Sequence, residues 1–164
     1  MKTWISKHLP REQLQKLDFM VGEFSSWHTL WPAPDRPAVQ YRSVLNASRE
    51  GCDRFLRTEQ FSDVPGIGLV SSTWLYTYDP KSDVYRAYGF SSAYEDAVQF
   101  EGTWDGDALV MLSSPVNGYC GLQRYRHTIT PRGDSSWDFL EERWDLAGFI
   151  LHASGTYIEC PIAG

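Results

Sequence analysis

The 164-residue chain is short of cysteine, of cations and of long apolar runs, and each shortage removes a class of function. Cys52, Cys120 and Cys160 are odd in number, far apart and in no CxxC arrangement, so neither a disulfide framework nor a zinc ribbon organises the fold. Reduced thiols in a cytoplasm are the expectation. With 15 Lys and Arg against 21 Asp and Glu the formal charge is −6, and no basic cluster offers a phosphate-binding surface. Nucleic acid is therefore not an expected partner. No window approaches the ~20 apolar residues of a membrane helix. The start, Met1-Lys2-Thr3-Trp4-Ile5-Ser6-Lys7-His8, lacks the apolar run and the cleavage site of a signal peptide. These absences lead to the expectation of a soluble cytoplasmic protein without a membrane partner.

Catalytic signatures are also missing. No G-x-S-x-G elbow accompanies Ser71-Ser72 or Ser113-Ser114, and no Ser/His/Asp order stands out, which leaves nucleophilic hydrolysis without support. No HxH, HExxH or His/carboxylate spacing signals a metal or haem, and no cofactor is expected. Gly66-Ile67-Gly68 follows Pro65 and opens a strand rather than a helix, so it reads as a turn and not a phosphate loop.

Aromatics are plentiful: 15% of the chain, with 7 Trp and 9 Tyr. That exceeds what a minimal core needs, so some rings are expected to line a cavity or an interface. The length suits one domain, and a domain of this size buries roughly 70% of the surface its unfolded chain exposes, without a staple. Pro10 suits a first helical turn, and Leu14, Leu17 and Phe19/Met20 recur on one face of a helix over 11–18. So short a helix is not stable alone and must cap something.

Alternating segments follow at 22–30, 39–47, 54–61, 68–78, 85–91, 98–104, 108–113, 122–130, 136–144 and 149–159. Trp104-Asp105-Gly106-Asp107 sets Asp-Gly between two of them, the signal of a type I′ hairpin with positive φ at both central residues. Asp79-Pro80-Lys81-Ser82-Asp83, Asn117-Gly118 and Arg132-Gly133-Asp134 are further turns. Short consecutive links favour nearest-neighbour pairing. The fold class expected is all-β: a closed up-and-down antiparallel β-barrel of about 8–10 strands over 22–160, capped by the segment 1–21. The 31–37 segment, with Pro32, Pro34 and Pro37, cannot be a central strand and is expected to arch over one mouth.

Four stretches then carry a family resemblance: Leu17-Asp18-Phe19-Met20-Val21-Gly22-Glu23-Phe24, Gly51-Cys52-Asp53-Arg54-Phe55-Leu56, Tyr78-Asp79-Pro80-Lys81-Ser82-Asp83-Val84-Tyr85 and Phe100-Glu101-Gly102-Thr103-Trp104-Asp105-Gly106-Asp107-Ala108-Leu109. In register over most of the chain, they resemble the bacterial domain-of-unknown-function family 1579. The resemblance implies a lipocalin-like, calycin-type barrel. It departs at Phe24, where that family more often has Trp, and at Gly51-Cys52-Asp53-Arg54, where it usually has a glycine pair before Arg. The family carries no agreed catalytic residues, so none transfers.

In a barrel alternate side chains point inward. If Phe24 packs inside, Ser26, His28 and Leu30 face the lumen while Trp27, Thr29 and Trp31 face out. The last strand sets Ile150, His152, Ser154, Thr156 and Ile158 against Leu151, Ala153, Gly155 and Tyr157, and first and last strands are neighbours, so His28 and His152 are expected to approach. Imidazoles in an aromatic pocket suit acid/base work, and a buried imidazole bonded to a carbonyl or carboxylate is the plainer alternative. His127 and His8 rank below them. Arg124 and Arg126 share a face. Inward they would form an anion-recognising floor, paired with Glu59 or Glu101 when empty; outward, the commoner fate of arginine, they are a solvated stripe. Glu141-Glu142 point to opposite faces and cannot share a substrate, which favours a charged hairpin shoulder.

The functional expectation is a barrel that binds an apolar or aromatic small molecule, with Trp31, Tyr41, Trp74, Tyr76, Phe90, Trp104, Tyr125, Arg126 and Trp144 as contact candidates. The alternative is a cofactor-independent cyclase or isomerase of secondary metabolism in the same cavity, its proton handling assigned to His28, Glu59, Tyr88, Arg124 and His152. Outward aromatics such as Trp27 and Trp31 leave a homodimer open.

Overall fold

The structure, a computed structural model, describes residues 11–33, 35–118, 121–133 and 135–161; His8, Pro10, Pro34, Cys120 and Asp134 lie outside them. A short helix α1 (Arg11–Gln15) and a 3₁₀ turn (Asp18–Met20) precede the strands β1 (Gly22–Leu30), β2 (Val39–Glu50), β3 (Phe55–Val64), β4 (Gly68–Asp79), β5 (Val84–Ser91), β6 (Val98–Asp105), β7 (Ala108–Ser113), β8 (Val116–Gly118), β9 (Gly121–Gln123), β10 (Tyr125–Pro131), β11 (Ser136–Asp145) and β12 (Gly148–Glu159). All but β8 and β9 join one closed barrel in the order β1-β12-β11-β10-β7-β6-β5-β4-β3-β2. Every pairing is antiparallel, and the seam closes between β1 and β12, with Phe24 opposite Glu159 and Leu30 opposite Ala153.

Two expectations shift. The segment 122–130 is not one strand: Leu122 and Gln123 pair with Asn117 and Val116 in a small ribbon of β8 and β9, and the barrel resumes at Tyr125. At the break the Ser113 hydroxyl accepts from the Tyr125 amide at 2.8 Å, and the Arg124 carbonyl accepts from the Trp144 amide at 2.7 Å, so the backbone groups are satisfied outside a regular ladder. The Asp-Gly hairpin, with Asp105 paired to Ala108, has positive φ at Gly106 (58°) but not at Asp107. Glycine at the first central position with positive φ there alone is the type II′ pattern, not type I′.

The helix also ends earlier than its periodicity suggests, yet the apolar residues of the segment it opens are used. Leu14, Leu17 and Met20 are completely enclosed and plug one end of the barrel beneath Phe24, Phe100, Leu109 and Trp137. Each such burial contributes about 1.5–3 kcal/mol, which offsets the poor intrinsic stability of a five-residue helix. Polar contacts fix its angle. Arg49 of β2 donates to the Leu14 carbonyl and pairs with Asp18, and the Tyr85 hydroxyl donates to the Gln13 carbonyl at 2.8 Å.

Most of the barrel wall alternates inward and outward residues. Along β10 the buried residues are Tyr125, His127 and Ile129; along β5 they are Tyr85, Ala87 and Gly89. Where an inward ring is large, its cross-strand partner is small. Trp74 lies opposite Gly89, and a β-carbon on that glycine would sit 2.2 Å from the indole. His28 lies opposite Gly155 in the same way, with 2.6 Å to its ring.

Gly89→Ala is thus expected to force the Trp74 ring out of its rotamer and to cost about 1–3 kcal/mol. Urea unfolding is the measure, and a midpoint equal to that of the native chain would show that the wall gives way without strain.

Candidate functional site

The end opposite the helical plug is open, and a cavity of about 800 Å³ runs down from it. Its mouth is formed by Pro32, Ala33 and Pro37, by Pro65, Gly66 and Ile67, and by Ser91, Ala93 and Tyr94; its floor is Met20, Leu45, Trp137 and Tyr157. Residues 32, 33 and 35–37 therefore lie at the mouth, as expected for this stretch.

β11 supplies the decisive side chain. Trp137, Phe139, Glu141 and Arg143 alternate into the cavity, while Asp138 and Glu142 point away. Glu141 is paired across the ladder with His127 of β10, and the His127 Nε2–H donates to Glu141 Oε2 at 2.7 Å. The His127 ring is held flat by Phe100, stacked with centroids 4.1 Å apart, and by the edge of Phe139 at 4.9 Å. Burial alone would raise the pKa of Glu141; the hydrogen bond from His127 and the electrostatic influence of the three surrounding imidazoles, His127 first, outweigh it, and the carboxyl is held below the usual carboxylate range.

His152 reaches the same carboxylate through an irregularity. Between β11 and β12 the register jumps, with Glu141 opposite Ala153 and Glu142 opposite Leu151, so His152 is the extra residue of a β-bulge. Both His152 and Ala153 consequently line the cavity. His152 Nδ1 donates to the Trp31 carbonyl at 3.2 Å, and the Trp31 amide donates to the His152 carbonyl at 2.7 Å. That bond points Nε2 at Glu141, 3.9 Å from its Oε1. A gap of that width between a carboxylate oxygen and a ring nitrogen suits an inserted polar group that donates to Glu141.

His28 belongs to the neighbourhood without lining it. Its ring is sealed behind Tyr41, stacked at 5.2 Å, Tyr157 at 5.1 Å and Phe139 at 6.1 Å, and neither nitrogen has a hydrogen-bond partner among the described residues. Burial pushes it down to about 4, with Glu141 opposing, so it is neutral near pH 7. Tyr41 and Tyr94 are pushed up, chiefly by burial, and stay protonated as donors in the same space.

The sequence-derived candidates divide by strand face. Tyr41, Trp74, Tyr76, Tyr125 and His152 line the cavity, and Trp31 clamps His152 through its backbone. Glu59 does not: it sits on the outer face of β3, where Arg57 donates to it at 2.6 Å. Tyr88 and Phe90 are on the outer face of β5, because Tyr85, Ala87 and Gly89 take the inner one. Arg126 is bound by both oxygens of Glu142, at 2.6 and 2.7 Å, and lies over the Phe149 ring outside the barrel. Arg124 donates to the Ser113 carbonyl at 3.3 Å beside an outer groove, so the anion-recognising floor is not formed. Trp144 is half-exposed against Phe149, and Trp104 packs on Phe19 and Tyr85 at the plugged end. On β12 the inward set is Ala153, Gly155 and Tyr157 plus the bulged His152; Thr156 bonds Asp138 outside, and Ile158 is exposed. His28 and His152 converge on Glu141 with no hydrogen bond between them.

Glu141, read from the sequence as part of a charged hairpin shoulder, and His127, ranked below His28 and His152, are the pair that the structure places in the cavity wall. The available signal was alternation from Trp137 through Phe139 to Glu141, which places a carboxylate on an apolar face.

No protein-family model and no curated protein matches the chain, so the resemblance to family 1579 gains no support at family level. Among solved structures the S-type phycobiliprotein lyase CPES from Guillardia theta superposes with a TM-score of 0.62 at 8% identity, covering 98% of each chain. A de novo designed fluorescence-activating beta barrel superposes with a TM-score of 0.47 at 12% identity, covering 87% of this chain and 95% of that one. The first likeness is one of fold, and with ten strands closed in one ring it fits the lipocalin-like, calycin-type barrel. No helix among the described residues is long and apolar enough to cross a membrane.

His28 makes stability depend on pH. The unfolded chain protonates this residue near 6.5, the folded chain only near 4, so stability is expected to fall as pH drops through that window, by up to about 3 kcal/mol. The depressed Glu141 adds its loss below its ordinary 4.5. In His28→Phe the fall between 6.5 and 4.5 is expected to flatten; urea unfolding at stepped pH is the check, and an unchanged slope would assign the effect elsewhere.

Proposed function

We propose that the protein binds one flat, largely apolar small molecule in the barrel, oriented by a hydrogen-bond-donating group inserted between Glu141 and His152. The observation that carries this reading is the 3.9 Å gap between Glu141 Oε1 and His152 Nε2 at mid-depth in a cavity of about 800 Å³ whose wall includes Trp74, Tyr76, Phe139 and Tyr157. Ligand pockets run to roughly 300–1,000 Å³, mostly apolar with a few placed polar groups. Closure to a ring gives the walls rigidity, and His127 locks the carboxylate in place, so little ordering accompanies binding.

Methyl 6-hydroxy-2-naphthoate and methyl 2-naphthoate differ by one hydroxyl and test the reading on the native protein. Quenching of tryptophan emission is expected for both, with the hydroxylated ester bound about five- to tenfold tighter. Equal binding would overturn the role of the Glu141–His152 gap, and no quenching by either up to its solubility would overturn ligand binding in the lumen.

The same geometry favours one second reading, proton transfer on a bound substrate. A carboxylate held ionised in the cavity wall, backed by His127 and faced by His152, suits removal of a proton next to a carbonyl and its return elsewhere, the chemistry of an isomerase. Glu59, Tyr88 and Arg124 have no part in it, since they face outward. Hydrogen exchange of 2-tetralone with D2O, followed by NMR, is expected to be accelerated by the native protein and not by Glu141→Gln. No acceleration over buffer removes this reading and leaves binding intact.

A further inference from the structure

We infer that the mouth of the barrel holds a carboxylate on Arg143, so that the ligand is an amphiphile with its apolar ring inside and an anionic group at the rim. The inference deepens the binding reading above and rests on it. Arg143 is the next residue of that face after Glu141 on β11, at the rim, where its side chain lines the cavity and also borders the outer groove beside Arg124. Its Nε is buried without a hydrogen-bond partner, and among the described residues no carboxylate or carbonyl pairs with any part of its guanidinium.

Other guanidiniums show what the chain does when a charge is meant to be satisfied internally. Arg49 is matched to Asp18, Arg57 to Glu59, Arg86 to Asp79 and Glu101, Arg126 to Glu142, and Arg132 to Asp138. Arg143 differs from all of them in combining a cavity position, a buried Nε and an unmatched charge. Glu141, two residues deeper on the same face, is engaged by His127 and lies beyond ion-pair distance; Asp35 and Arg36 also line the mouth but are exposed to water. A partly buried cation left without a partner is costly, and a planar guanidinium matches a carboxylate through two parallel hydrogen bonds.

The order of charges along the cavity sets the polarity of the ligand. Glu141 would repel an anion at mid-depth, and Arg143 attracts one nearer the rim, so a rigid molecule enters with its donor leading and its carboxylate trailing. A neutral hydrophobe would leave Arg143 unmatched and further shielded from water, which selects against it.

The test compares 6-hydroxy-2-naphthoic acid with its methyl ester on the native protein at neutral pH, by tryptophan quenching. The acid is expected to bind about tenfold tighter or more. In Arg143→Met the acid-to-ester ratio is expected to collapse to near one, and Arg143→Lys is expected to restore part of it. Acid and ester bound equally by the native protein would overturn the carboxylate assignment while leaving ligand binding standing. So would an acid preference that survives Arg143→Met, since the anion would then be held elsewhere. Failure of both compounds to bind would overturn this inference together with the reading it rests on. The native comparison decides even if Arg143→Met fails to fold.

Discussion

Ring closure between β1 and β12 is the constraint on which the rest of this structure depends. An open sheet can leave one face to water and an edge to chance; a closed one removes the edges and commits every second side chain to a shared interior. Ten strands enclose more space than their own side chains fill, so the interior separates into two zones. At the plugged end the helix and the 3₁₀ turn complete a packed core with Phe24, Phe100 and Trp137. Toward the open end nothing among the described residues plays that part, and the cavity remains.

Within that cavity electrostatics are concentrated in one strand pair. A carboxylate in an apolar wall is tolerated because His127 stands directly opposite in the ladder, a pairing that register imposes and that Phe100 and Phe139 hold in orientation. The consequence is a fixed negative charge at mid-depth, a neutral His28 behind the wall, and an arginine toward the rim. Lumen polarity is thereby graded along the barrel axis rather than scattered. On the reading proposed above, a ligand with complementary groups in the same order is favoured.

The outer surface uses the same residue types to different effect. Arg126 and Glu142 form an ion pair next to His127 and Glu141 in sequence, yet contribute only to the wall's exterior. Half-exposed pairs of that kind are worth little individually. The neighbouring pair, nearly buried, points into the cavity and so shapes a site.

Period-two alternation and the Gly, Pro and Asp turns were enough to place ten strands, their antiparallel order and the short plug at the N-terminal end, because these are local signals repeated every few residues. The aromatic excess likewise announced a lined interior, and Tyr41, Trp74, Tyr76 and Tyr125 belong to it. Alternation divides a strand into two faces without saying which is inside, and so Glu59, Tyr88, Phe90 and Arg126 were assigned to a lumen they do not face. The β-bulge that turns His152 inward, the glycines that admit the rings of Trp74 and His28, and the partnership of Glu141 with His127 depend on register between strands. Register is settled by closure of the whole ring. Only the tertiary structure decides it, since no residue's own neighbours in sequence carry that information.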